Sequence, residues 1–161
     1  MLSQVQYFKA TKLIIVGDLF HSHANKEMEL FLKWRHDLDY LDIHLIKGNH
    51  DILSNKFYDN AAIKVSEEQW LQSPFCFTHD IAMKCDDDPK AKKSFTFSGH
   101  IHPGIKINGL GKQSLRFPCF YFSKEFVVLP AFSHFTGLAS IYPQTSDSVF
   151  AIVEKSVIKI Q

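Results

Sequence analysis

Five short segments constrain this chain more than any other feature: Gly17-Asp18, Gly48-Asn49-His50-Asp51, Thr78-His79-Asp80, Gly99-His100 and His102. Each places an Asp, Asn or His just after an apolar run, and four of those runs, 13–16, 43–46, 75–77 and 95–97, read as strands. In an α/β sheet, strand ends are where functional side chains are displayed. A chain that sets oxygen and imidazole donors at successive strand ends reads as one built around a metal site.

The rest of the pattern supplies a scaffold. Residues 13–17 read as a buried strand and 25–38 as the helix after it, with Met28, Phe31 and Leu32 at roughly helical spacing. A second strand at 41–47 completes a β–α–β unit, which implies parallel strands and a right-handed crossover. Beyond Asp51 the pattern changes to short strands around 61–65, 75–78, 94–98, 104–108, 113–122, 126–130 and 148–160, with little helix. Gly109-Leu110-Gly111 and Ser123-Lys124-Glu125 read as hairpin turns. An α/β front with a β-rich back predicts an α/β (α+β) chain of two packed mixed sheets flanked by helices. With 161 residues, 45% of them apolar, a single domain over 1–161 is expected.

Composition narrows the setting. No apolar run approaches the roughly 18 residues of a membrane span, and no signal segment opens the chain, so a soluble, cytoplasmic protein is expected. Cys76, Cys85 and Cys119 form no CxxC pair and are odd in number, which argues against a disulfide framework or a zinc knuckle and for reduced thiols. The formal charge of +1 gives no global basic field for nucleic acid, and leaves only local patches such as the lysines of 90–93. Asp86-Asp87-Asp88 beside those lysines reads as a solvated charge run.

Two divalent cations about 3.5–4 Å apart can clamp a phosphate and activate a water, and they need a bridging carboxylate with neutral oxygen and nitrogen donors. Asp18 offers the carboxylate, Asn49 an amide oxygen, and His79, His100 and His102 the imidazoles. Such mixed ligation suits Mn²⁺, Fe or Zn²⁺. In extended chain, His100 and His102 point to one face, one for each metal. His50, oriented by Asp51, can donate a proton to a leaving alkoxide. His21 and His23 follow Asp18 on the loop to the helix and could contact substrate, replace a ligand or cap the helix. Asp80 could orient His79 or simply occupy a turn. His44, alternating with apolar neighbours, reads as structural and partly buried or at an edge.

At these residues the chain resembles the calcineurin-like metallophosphoesterase superfamily, and more finely the DNA-ligase-associated metallophosphoesterases, a bacterial group linked to DNA repair. The finer likeness rests on Gly17-Asp18-Leu19-Phe20-His21-Ser22, Gly48-Asn49-His50-Asp51, Ser98-Gly99-His100-Ile101-His102-Pro103-Gly104, Leu129-Pro130-Ala131-Phe132 and Phe135-Thr136-Gly137, and spans about 13–143. The resemblance implies a four-layer αββα sandwich, a two-metal site, and Mn²⁺-dependent phosphodiesterase or endonuclease activity on nucleic acid in partnership with repair proteins.

One departure qualifies that expectation. The superfamily's first motif, a strand ending in Asp-x-His some tens of residues before Gly17-Asp18, has no counterpart; Asp18 and His21 are spaced Asp-x-x-His, and the 31 residues from Asp18 to Asn49 fit the second motif. The expected chain is therefore N-terminally shortened. It retains the second metal's ligands, Asp18, Asn49, His79 and His100, and lacks two of the first's. It is either a shortened form of an active enzyme or a natural relative with one metal or none. The alternatives to a nucleic-acid phosphodiesterase are a non-catalytic binding module and a small-nucleotide phosphoesterase.

Overall fold

Short β-branched and aromatic runs broken by turn residues can bury their apolar faces only by pairing with one another, and here they pair into two sheets. The computed structural model describes residues 2–20, 26–83, 85, 93–109, 111, 113–133 and 136–161. The chain divides into two compact units, Met1–Gln69 and Trp70–Gln161.

The first unit runs α1 (Leu2–Tyr7), β1 (Lys12–Val16), α2 (Lys26–Asp37), β2 (Asp42–Ile46), α3 (Asn55–Asn60) and β3 (Ile63–Ser66). The three strands form a parallel sheet in the order β1-β2-β3, with Val16 opposite Ile46 and Ile46 opposite Ser66. The expected β–α–β unit is present. Central β2 buries Ile43, Leu45 and Ile46 completely, each contributing about 1.5–3 kcal/mol of apolar burial. Strand β1, at the border of this sheet, is half-buried rather than buried. Met28 of α2, Val5 of α1 and Tyr58 of α3 close the core over the sheet. Phe20 meets Phe31 and Phe57 edge-on at ring separations of 5.2 and 5.4 Å. That contact anchors the segment following β1 to two helices.

Among the described residues the elements of the second unit are all strands: β4 (Gln69–Gln72), β5 (Phe75–Thr78), β6 (Phe95–Ser98), β7 (Pro103–Asn108), β8 (Ser114–Phe122), β9 (Phe126–Val128), β10 (Ala139–Ser140), β11 (Ser148–Val153) and β12 (Ser156–Lys159). These nine strands form one sheet with the path β10-β7-β8-β9-β6-β5-β4, and β11 joins it through β8. Long β8 pairs with β7 through its first half and with β9 and β11 through its second. Strands β5, β6 and β9 are parallel neighbours, with Thr78 level with Ser98 and Ser98 level with Val128. Their Phe side chains stack across strands: Trp70, Phe77 and Phe97 form a ladder with ring separations of 5.6 and 5.2 Å.

Several sequence expectations need correction. The run 148–160 is not one strand but a hairpin, β11 and β12, turning at Glu154, which adopts φ 55. The short elements α1, α3, β4 and β10 carry too few periodic residues to stand out. The reduced-thiol expectation fails, because Cys76 and Cys85 form a disulfide with Cα atoms 6.5 Å apart, while Cys119 is free and buried. An odd count excludes only complete pairing, and one bridge plus one core thiol satisfies it equally. Burial pushes the Cys119 thiol up to about 11, so it is inert. His44 lies not at an edge but on central β2, buried, with Nε2 2.9 Å from Ser66 Oγ. Among the described residues no helix is long and apolar enough to cross a membrane.

Candidate metal centre

In the first unit, β1 and β2 end level with each other, so the segments beginning at Gly17 and Lys47 emerge side by side. Gly17 (φ 79) and Asp18 (φ 53) are both left-handed, which turns the chain sharply. Glycine adopts that region freely, and Asp is among the few other residues that tolerate it. Asp18 Oδ1 accepts the backbone N–H of His50 at 3.0 Å. Gly48 lies so close that a Cβ there would sit 2.2 Å from Asp18 Oδ1 and 2.5 Å from Asp18 N. Only glycine leaves this carboxylate its place. Asn49 and His50 occupy the exposed turn that follows.

Asp51 is 4% exposed, and its carboxylate is consumed by backbone. Oδ1 accepts from Leu19 N at 2.9 Å and Phe20 N at 3.1 Å, and Oδ2 accepts from Gly48 N at 2.9 Å. One side chain thus ties the Gly48 turn to the loop carrying Asp18. Sequence reasoning gave Asp51 the role of orienting His50 and missed this clamp, because two of its partners lie 31 and 32 residues away and are main-chain groups without a residue signature.

In the second unit, the level ends of β5 and β6 bring out His79 and His100. His79 is 6% exposed, and its carbonyl accepts both Ser98 Oγ and Gly99 N at 3.0 Å. His100 Nδ1 lies 3.0 Å from His79 Nε2, with ring centroids 4.8 Å apart. Leu129 N donates to Ser98 O at 2.8 Å, setting the Leu129-Pro130 segment alongside. The segment from His100 to His102 is not extended: His100 has φ 59 and His102 φ 48. The alternation argument for two imidazoles on one face therefore does not apply. Asp80 is a turn residue, its Oδ1 accepting Ala82 N at 2.9 Å. His21 and His23, the run 86–92, and His134 and Phe135 lie outside the described residues.

His79 and His100 supply the imidazoles of a group that could hold a metal ion. The donor chemistry fits a divalent cation: two imidazoles match the borderline preference of Mn²⁺, Fe or Zn²⁺. The imidazole pair fits as well. Two nitrogens each about 2.1 Å from one ion and at right angles would stand about 3 Å apart, and the ring nitrogens of His79 and His100 stand 3.0 Å apart. His102 is not part of that group. A cavity of about 320 Å³ between Tyr121, Phe126 and Asp147 includes none of the candidate ligands.

No family model matches the chain, and no curated protein matches it. Its fold is similar to the crystal structure of Pseudomonas putida nuclease MPE, with a TM-score of 0.76 and 28% identity over 93% of this chain and 72% of that one. Two sheets, three- and nine-stranded, with few helices give the mixed α+β class the sequence predicts.

Proposed function

We propose that this protein is a metal-dependent phosphoesterase that hydrolyses phosphodiester bonds of nucleic acid, with Asp18, Asn49, His79, His100 and His102 as ligands, Mn²⁺ the first candidate, and repair proteins as its partners. The single observation that carries this reading is the imidazole pair, with His79 Nε2 and His100 Nδ1 held 3.0 Å apart by backbone contacts at the ends of β5 and β6. The similar solved structure, a nuclease, supports a hydrolase acting on nucleic acid.

A divalent cation bound there supplies Lewis acidity and a water of lowered pKa. The chain's own residues do the rest. For both ring nitrogens to ligate, neither can carry a proton at that atom, so His79 and His100 present their lone pairs. Asp18 offers carboxylate oxygen while its Oδ1 is held by the His50 N–H. That bond fixes His50 to the ligand it neighbours, and the His50 imidazole, exposed on its turn, protonates the departing alkoxide. Asp51 keeps the loops in register.

The test is hydrolysis of bis(p-nitrophenyl) phosphate, a cyclic nucleotide and single-stranded DNA by chelator-treated protein with and without Mn²⁺. The reading predicts Mn²⁺-dependent hydrolysis of the ester and the DNA, and a fall in kcat of about 10²–10⁴ for His50→Ala. Hydrolysis of the cyclic nucleotide alone would replace nucleic acid with a small-nucleotide substrate. No hydrolysis of any of the three would leave a binding module.

A further inference from the structure

Strand β7 begins at Pro103, directly after the proposed ligand His102, and runs outward paired with β8. In this antiparallel ladder Gly104 lies opposite Pro118, Lys106 opposite Arg116, and Asn108 opposite Ser114. Residues directly opposite each other point to the same face, so one face of the hairpin carries these six residues, two cations and no acid. Lys106 and Arg116 are both exposed, and among the described residues neither makes an ion pair. Like charges in that relation destabilise a ladder, so the pair lowers stability unless an anion lies between them.

The arginine is also positioned. Its Nη1 donates to Leu138 O at 3.2 Å. A Cβ on Gly104 would come within 3.1 Å of Arg116 Cδ and 2.8 Å of Leu138 Cβ, so the bare glycine lets the arginine stem lie across the strand. The guanidinium has five N–H groups in a fixed fork, and those not given to Leu138 remain to grip an anion.

We infer that this face of β7 and β8 is a track for the phosphodiester backbone of a nucleic-acid strand, with Lys106 and Arg116 each neutralising a phosphate. Three residues of strand, about 10 Å, separate Pro103 from Lys106. The inference rests on the phosphoesterase reading for which end of the track meets the scissile bond, whereas backbone binding can be measured without it.

The experiment is anisotropy of a labelled single-stranded DNA with the full chain, in chelator so that cleavage cannot intervene, from about 50 to about 200 mM salt. Lys106→Gln with Arg116→Gln should weaken binding at least about tenfold at the low-salt end and make the slope of log K against log salt shallower by about 1.4, two single-strand contacts' worth. The charge-keeping exchange, Lys106→Arg with Arg116→Lys, should retain the slope. Wild-type affinity and slope in the double glutamine variant, or no binding by the wild type, would overturn the track whatever hydrolysis shows. Loss of binding in that variant, beside a wild type that hydrolyses no phosphodiester with metal, would leave the track standing and remove the catalytic reading.

Discussion

At residue 51 one carboxylate satisfies three backbone donors, and the geometry around Asp18 depends on it. Removing it leaves the N–H groups of Leu19, Phe20 and Gly48 without an acceptor in a partly buried place, and unsatisfied donors of that kind cost about 1–3 kcal/mol each where buried. Asp51→Ala should therefore lower unfolding stability by about 2–4 kcal/mol in urea titration, with Asp51→Asn milder because an amide oxygen still accepts. Unchanged stability would show that the clamp carries no weight. Gly48→Ala tests the ligand together with the backbone that carries it, since the new Cβ would also come within 2.5 Å of Asp18 N. Its Cβ would meet Asp18 Oδ1 at 2.2 Å, so the carboxylate must move, and Mn²⁺ affinity measured by titration should fall about 10- to 100-fold. Three of the proposed ligands, Asp18, His100 and His102, have left-handed φ values of 53, 59 and 48. Non-glycine residues hold that conformation at a cost of about 1–3 kcal/mol each where the surroundings impose it.

At the scale of elements, β2 places a titratable group in the core of its sheet. Burial holds the His44 imidazole below its usual 6.5, opposed by Asp42 and reinforced by Lys64 and Lys12. A histidine whose folded pKa is depressed binds fewer protons folded than unfolded, so its contribution is full above about 6.5 and is lost as pH falls through the window down to the folded pKa. Wild-type stability should rise with pH across that window, and the rise should be shallower in His44→Gln when thermal midpoints of the two are compared from pH 5 to 7. The Cys76–Cys85 bridge closes the loop carrying His79. By loop-closure entropy it is worth about 2–3 kcal/mol, so dithiothreitol should lower the stability of the wild type and leave Cys76→Ser with Cys85→Ser unaffected. These elements also show what a sequence can display. The runs that became β1, β2, β5 and β6 were legible because each is a mainly apolar stretch ending at a polar donor. α3 and β4 were not, since Asn55-Lys56-Phe57-Tyr58-Asp59-Asn60 and Gln69-Trp70-Leu71-Gln72 lack a full period of either kind. The His79 and His100 pairing was implicit in two motifs, whereas the Asp51 clamp and the disulfide depend on partners that no local pattern names.

For the whole molecule, the sequence order of motifs becomes a set of loops at the level ends of parallel strands, β1 with β2 in one unit and β5 with β6 in the other. A cation that binds only the folded chain adds RT ln(1 + [M]/Kd) to stability, about 2.7 kcal/mol at a hundredfold excess over Kd. Mn²⁺ should therefore raise the thermal midpoint of the wild type and leave that of His79→Gln with His100→Gln in place. The measurement that bears most directly on the account combines metal content and phosphodiester hydrolysis on one sample of the chain. Chelated protein is reloaded with Mn²⁺, and the wild type is compared with Asp18→Ala, His79→Gln and His100→Gln. The account predicts bound Mn²⁺ and hydrolysis in the wild type, and loss of both in each variant. Full hydrolysis by the chelated wild type, or by variants that no longer hold Mn²⁺, would contradict it.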